Sequence, residues 1–468
     1  MDSTTRNLVG FWRSADAARL SPAALEACKR RLIDTLGCAL LAFDAPVSAM
    51  ARNVASMYPR TPGATVWGTT QIVAPEAAAF ANGVMLRLAD MSDMYREKSG
   101  GHPSDVIAAV LAAGETENAR GRDILNAIVL AYDVYCSFCA AIDINSLGWD
   151  QPVYSILGAV LGAGKLMKLT DEQMAHAIAL ALAPNMALYQ TRHGELSNWK
   201  GCASANASRN AVFAAMLARE GFTGPTAVFE GKGGLFEAVG RFEWQLPALD
   251  GTRYIERTHF KCFPICYHGQ TAVWAALDAR PQVGTRAIAK IELETYKSAV
   301  EIMASDRSRW APTTNETADH SLPYVIATAL TDGEVTMDSF AHERLSAPAT
   351  LALMQKVAVR ESAECTARHP GASSCRLTVT LDGGEKVVTE VLYPKGHNKN
   401  TLDDTEIATK FRQMLRGFAP ADRCEALLAE LRRFNEIEDV RALLGRTSVA
   451  ANFLTAYRGS AAPDPDNR

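Results

Sequence analysis

Apolar residues recur at three- and four-residue steps from about residue 17 to 270, as in "SPAALEACKRRLIDTLGCALLAF", "PSDVIAAVLAAGE", "GRDILNAIVLAYDVYCSFCA" and "TDEQMAHAIALALA". That spacing lays one apolar stripe along a helix, so a stack of helices is predicted. Ser, Asp or Thr stands at the start of these runs as a cap, and Pro22 and Pro103 fall near first-turn positions, where no amide hydrogen is needed. The small residues of "AVLGAGKLM" and "GCASANASRNAVFAAMLA" let such helices approach closely, and alanine also favours helix because it loses no rotamer freedom.

After about residue 284 the period shortens. "AIAKIELETY", "GEVTMDSF" and "CRLTVTLDGGEKVVTEVLYP" alternate apolar and polar positions, which predicts strands, with Asp382-Gly383-Gly384 as a hairpin turn. "LPYVIATALTDG" interrupts them as a helix. From Leu402, "LDDTEIATKFRQMLRG" and "RCEALLAELRRF" return to helical spacing, and the final "GSAAPDPDNR" reads as a frayed end. The expected fold class is mainly α: a large all-helical domain over residues 1–270, a smaller α/β domain over 271–401, and a return to the helical domain over 402–468.

Length and charge narrow the picture. The 468 residues are 48% apolar, enough for two ordinary cores and too apolar for a disordered chain. Lys and Arg total 48 against 52 Asp and Glu, with no basic block able to track a nucleic-acid backbone. Nucleic acid is not expected as a partner, whereas an anionic small molecule is compatible, because a few focused cations can act against the mean charge. The start, "MDSTTRNLVGFWRSADAARL", has neither a secretory nor a transit pattern, and no segment offers about 18 uninterrupted apolar residues, so a soluble, cytoplasmic protein without a membrane partner is expected. The ten cysteines are dispersed, several inside apolar runs, and are expected to be reduced.

Four polar clusters interrupt the packing pattern. In "LADMSDMYREKSGGHPSD", Asp90 and Asp93 share a face if the segment is helical, close enough to bias one another or orient a base. His102 precedes a helix start, where an imidazole meets unpaired amides; the structural alternative is two caps and a surface histidine. In "TRHGELSNWKGCASANASRN", Arg192, His193, Lys200 and Arg209 crowd a stretch of small residues, and a guanidinium buried there must meet a carboxylate of the protein or of a ligand.

The third cluster, "HFKCFPICYHGQ", offers Lys261, Cys262, Cys266, His268 and Gln270. Lysine is an unusual zinc ligand and no second ligand pair follows, which disfavours zinc. Cys136 and Cys139 have a C-x-x-C spacing but sit in an apolar helical run, which disfavours a redox turn or an iron-sulfur loop. A protein-only acid/base site fits better: Lys261 binds a carboxylate, His268 shuttles a proton or caps a helix, and Gln270 supplies neutral hydrogen bonds. In the fourth, "TNETADHSLPYVIATAL", Asp319 precedes His320, and Tyr324 lies one turn on, either as a hydroxyl donor in a basic pocket or as apolar packing. "FEGKGGLFEAVG" is no complete Walker loop and no Gly-x-Ser-x-Gly elbow occurs, so neither a nucleotide nor an ordinary α/β-hydrolase is implied.

Taken in order, "DMSDMY", "GGHPSD", "LSNWKGCASANASRN", "TGPTAVFEGKGGLFEAVG", "FKCFPICYHGQTAV" and "ETADHSLPYVIA" resemble the MmgE/PrpD family, which includes 2-methylcitrate dehydratase and cis-aconitate decarboxylase, over about residues 15 to 450. The resemblance implies a helical domain with a smaller α/β lid, usually dimeric, and an active site between them that uses no cofactor and no metal. It matches Asp90 and Asp93 to an acidic pair, His102 to the histidine of Gly-His-Pro-Ser, and Arg209 to a basic residue of the small-residue helix. It likewise matches Lys261 to a lysine before an aromatic-proline pair, His268 and Gln270 to a His-x-Gln, and Tyr324 to a tyrosine after Asp-His. Three positions depart from the family pattern: Met94 for a frequent threonine, Gln151 for histidine and Asn315 for arginine.

These residues predict a hydro-lyase of the 2-methylcitrate dehydratase kind. Lys261 and Arg209, with Lys200 or Arg192, would hold carboxylates; His102, oriented by Asp93 or Asp90, would take the α-proton, and Tyr324 or His268 would protonate the leaving hydroxide. Epimerisation or decarboxylation of a related polycarboxylate or aspartate-derived acid is the alternative, with Gln151 leaving room for changed chemistry. A noncatalytic helical scaffold instead predicts separated clusters, each satisfied by its own neighbours.

Overall fold

The computed structural model describes residues 1–194 and 196–448. The reading of "GSAAPDPDNR", and the end of the 402–468 segment, lie outside the described residues.

The long helices of the first part are α1 (Pro22–Leu41), α2 (Pro75–Leu88), α3 (Ile107–Thr116), α4 (Gly121–Ala141), α5 (Pro152–Leu166), α6 (Asp171–Leu182) and α7 (Trp199–Arg219). Their starts follow from local chemistry. Ser21 Oγ accepts from the Ala24 amide at 3.1 Å with Pro22 at the first position, and Thr170 with Gln173 forms a capping box. Pro103 opens a single 3-10 turn, Pro103–Val106, that runs into α3.

Small residues set the helix spacing. A Cβ on Gly83 of α2 would fall 2.9 Å from the Ala205 Cβ of α7, and one on Gly158 of α5 would fall 2.6 Å from the Ala131 carbonyl oxygen of α4. Those helices therefore touch almost backbone to backbone. By length and composition α4 would cross a membrane, yet 89% of its most apolar stretch is buried inside the protein, so it packs as a central core helix.

The second part contains α8 (Gln270–Val283), β1 (Ile288–Thr295), α9 (Leu322–Asp332), β2 (Val357–Glu361), β3 (Cys375–Leu381) and β4 (Lys386–Val391). The strands form one sheet in the order β2-β1-β3-β4, with β2 parallel to β1 and the other pairs antiparallel. Register follows burial: Ile291 pairs with Val379 and Leu293 with Leu377, so the buried side chains face one core. The hairpin turns at Gly384, whose φ is +84°. The protein is thus mainly α, with a small α/β part toward its C-terminus.

One strand expectation fails. "GEVTMDSF" holds a 3-10 turn at Met337–Phe340, because Thr336 and Ser339 cap one another while Val335 and Phe340 bury their side chains. β2, whose five residues are mostly exposed, escaped the alternation pattern.

Two large apolar cores result, with a small third cluster of Tyr296, Ala299 and Cys365 among the described residues. The larger runs from Leu8 to Phe260 and resumes at Leu402, where α10 (Asp404–Leu415) and α11 (Ala421–Arg432) pack on α1. The smaller runs from Phe263 to Val387. Lys261 stands where the chain leaves one core for the other.

The Gly158 contact is testable. Gly158→Val should lower unfolding stability by about 3 kcal/mol, the upper end of overpacking costs, read as a fall in the urea midpoint. An unchanged midpoint would mean that α4 and α5 separate without cost.

Candidate active site

Where the two cores meet lies a cleft of about 590 Å³. Seven Lys or Arg side chains line it against five Asp or Glu, and two of those acids, Asp90 and Asp150, are already paired with cations. Cations thus outnumber acids along its walls.

Its centre is Asp90. α2 ends at Leu88, and Asp90 adopts a left-handed backbone, φ +45°, which turns its carboxylate back toward Arg87 at 2.7 Å. Lys261 Nζ donates to Asp90 Oδ1 at 2.7 Å and to the Asp90 carbonyl at 2.8 Å, while Lys200, in the first turn of α7, lies 3.4 Å from the other oxygen. Burial opposes charge on this carboxyl, but Lys261, Arg87 and Lys200 together hold it well below the usual carboxylate range. Asp90 is an anion.

His102 Nε2 lies 4.0 Å from Asp90 Oδ1. Its Nδ1 lies 2.7 Å from the Asp93 carbonyl, which only accepts, so Nδ1 carries the hydrogen and Nε2 keeps a lone pair. Burial, then Arg87 and Lys261, push its proton affinity well below the ordinary imidazole value. On the other oxygen of Asp90, His320 Nε2 also lies 4.0 Å away. His320 Nδ1 is hydrogen-bonded to Asp319. Burial and Lys200 work against charge on His320, yet Cys266 and Asp319 outweigh them and its pKa is raised. Two imidazoles whose proton affinities are shifted in opposite directions thus meet across one carboxylate.

Asp90, Asp319 and His320 offer three ligand-type atoms within 4.8 Å of one another. The Lys200 ammonium lies 3.4 Å from both carboxylates and 3.2 Å from His320 Nδ1, so a cation is already built into the group.

Several expectations need correction. Asp90 and Asp93 do not share a helical face, since the chain between them is a non-helical turn. The Asp93 carboxylate is fully buried, accepting from Tyr132 Oη and the Ser104 amide, each at 2.9 Å; only its backbone carbonyl orients His102. His268 is neutral: Arg96 donates to Nε2 at 2.9 Å, so Nδ1–H donates to Tyr296 Oη at 2.8 Å. It steers Arg96 and has no proton to give the cleft. Gln270 does not reach the cleft; its side chain pins the Phe263 loop, accepting from the Cys262 and Phe263 amides and donating to the Phe263 carbonyl. Tyr324 is absorbed by the smaller core, its hydroxyl donating to the Ser339 carbonyl at 2.5 Å. Arg209 is exposed on the outer face of α7 and, among the described residues, donates only to Asn210.

Other expected residues do line the cleft: Gln151 at the start of α5, His193, Lys200, Lys261 and Arg192. Arg192 is anchored to Asp150 at 3.0 Å. Gly101 is required there, because a Cβ would fall 2.0 Å from Tyr135 Oη and 2.9 Å from Gln151 Oε1. The sequence reading passed over Arg96, Arg309 and the direct role of His320. Arg96 Nε, Arg192 Nη2 and Arg309 Nε are buried donors without a partner among the described residues. Arg309 lies only six residues before Asn315, so the cation lost at Asn315 has a neighbour in the sequence that faces the cleft.

The cysteine readings also resolve. All ten are free; Cys136 and Cys139 are buried along α4, and no cysteine group gathers with metal-ligand geometry among the described residues. Separated, self-satisfied clusters, as a scaffold requires, are not what the cleft contains.

The MmgE/PrpD N-terminal domain matches residues 6–245 and the MmgE/PrpD C-terminal domain residues 263–435. The chain is 29% identical to the 2-methylcitrate dehydratase of Cupriavidus necator over 87% of this chain and 89% of that one. It is 28% identical to the mitochondrial 2-methylcitrate dehydratase of Yarrowia lipolytica over 87% and 83%. The cis-aconitate decarboxylase-like protein oryM of Aspergillus oryzae is 25% identical over 91% and 93%. With both domain models matched in order across most of its length, the chain belongs to the MmgE/PrpD family.

Proposed function

We propose that the chain is a hydro-lyase that removes water from a tricarboxylate of the 2-methylcitrate kind, with the α/β part acting as a lid over the helical part. The observation that carries this reading is the pair of imidazoles, one with lowered and one with raised proton affinity, beside the two oxygens of Asp90 inside a cation-lined cleft. The free N–H groups of Arg96, Arg192 and Arg309 are the donors for substrate carboxylates. His102 Nε2 takes the proton α to a carboxylate. The C–H electron pair forms the alkene, the C–O bond breaks, and the His320 proton leaves with the hydroxide as water. Asp90 holds both lysines in register.

The same reading has no cofactor and no metal, since Lys200 supplies the cation within the acidic group. It keeps the homodimer and the cytoplasmic location expected from the sequence.

Epimerisation of a related acid is the second reading, and Lys261 favours it. Burial lowers the proton affinity of its ammonium against the pull of Asp90, so Lys261 and His102 are two groups able to exchange one proton at one carbon. Decarboxylation would use the same cations, with His320 protonating the carbanion.

Chelator-treated protein with 2-methylcitrate in deuterated water should give an alkene by proton NMR. Deuterium exchange or inversion without an alkene would replace the proposal by epimerisation. His102→Ala should lower kcat by about 100-fold or more. Arg309→Ala should raise KM by about ten-fold, roughly 1.4 kcal/mol of binding, while Arg209→Ala leaves both constants unchanged; equal effects of the two would sink the assignment of carboxylate donors.

The pH profile follows from the two shifts. His102 must be neutral and its pKa is lowered, so kcat/KM should fall on the acid side only below the ordinary imidazole value of 6.5. His320 must be protonated and its pKa is raised, so kcat/KM should fall on the basic side only above 6.5. A bell displaced wholly to one side of that value would overturn one of the two shifts on which the assignment rests.

A further inference from the structure

Cys266 lines the same cleft, and the elimination does not use it as acid or base. Its amide donates to the Asp319 carbonyl at 3.0 Å, which fastens the loop before α8 to the turn before α9. Cys266 and His320 line the cleft together, the imidazole acts on the thiol, and His320 Nδ1 is in turn hydrogen-bonded to Asp319. Thiol, imidazole and carboxylate in that order are the groups that activate a cysteine nucleophile.

The charged surroundings act in the same direction. Asp90 and Lys261 face Cys266, and Lys200, Asp319 and Asp90 face His320. Burial opposes a thiolate at Cys266, yet His320 outweighs it and the pKa is lowered. Burial raises Cys28, Cys38, Cys136, Cys139 and Cys262 instead. A second observation points to the ligand: Arg309, 8% exposed, faces this cleft with its Nε unpartnered, a fixed donor for a carboxylate.

We infer that Cys266 is a covalent ligand site, which forms a reversible thioether with conjugated alkenes that carry carboxylates. The class of alkene rests on the proposed function, whose product is of that kind. The sulfur lone pair forms an S–C bond at the β-carbon, the π pair moves to the α-carbon, and the His320 proton joins that carbon. No oxidant or reductant takes part. Reversal removes the α-proton to neutral His320 and expels the thiolate. Because the adduct fills the substrate's space, the modified chain is inactive until it reverses.

Maleate and iodoacetamide are the probes, with adducts located by peptide mass spectrometry on the full chain. Maleate should add once, at Cys266, and iodoacetamide at pH 7 should alkylate Cys266 about ten-fold faster than any other cysteine. His320→Asn should slow both reactions by about ten-fold. Should that variant fail to fold, the pH dependence of wild-type alkylation reads the same pair, its rise lying below that of an ordinary thiol. Alkylation without a maleate adduct overturns the inference, as does a rate that climbs through the ordinary thiol range. Elimination of 2-methylcitrate is measured alongside: an adduct without elimination removes the proposed function and leaves this site, and elimination without an adduct does the reverse.

Discussion

The structure is organised by one buried negative charge. A carboxylate that is 3% exposed is costly unless cations and hydrogen bonds surround it, and Asp90 gathers Arg87, Lys200 and Lys261 from three separated stretches of chain. The dependence is mutual, because each of those cations is also buried. Lys261 comes from the junction of the two cores, so the ion cluster is also the stitch between them. Even the left-handed backbone at Asp90 serves it, since an extended or helical φ would turn the carboxylate away from Arg87.

From that charge follows the division between the two histidines. Both lie 4.0 Å from Asp90, so the shared anion does not distinguish them. Their second partners do. His102 meets a neutral carbonyl and feels Arg87 and Lys261, whereas His320 meets Asp319 and Cys266. Identical side chains thereby acquire opposite proton affinities, the arrangement that separates a base from an acid.

Legibility in the sequence tracked the range of the interaction. Helices, caps and the Asp-Gly-Gly hairpin depend on residues a few positions apart, and their apolar or turn chemistry was readable. Asp90, His102, Lys200 and Lys261 were recognisable as polar residues set among apolar or small ones. Arg209 shows where composition misleads: on α7 it shares its face with exposed Phe213, one turn on, while Ala205, Ser208 and Val212 face inward. Helical phase was the missed signal. Tyr324 and His320 stand four positions apart, and the turn ending at Ser321 decides which of them reaches the cleft. Arg309 had no local signal at all, because its function arises only when the two cores close on each other.

The unpartnered arginine donors explain how a protein of net charge -4 selects an anion. A buried donor left without an acceptor costs about 1–3 kcal/mol, so three guanidinium groups with such atoms in one cleft are a standing cost to the fold. Those three nitrogens are out of water before the ligand arrives. A carboxylate entering the cleft recovers that cost, and a guanidinium fork fixes its orientation as a single ammonium does not. A substrate with one carboxylate leaves the other donors unsatisfied. In the proposed function, selection for several carboxylates follows from the number of orphan donors rather than from the overall charge, and His268, by holding Arg96 in place, contributes to binding geometry and not to proton transfer.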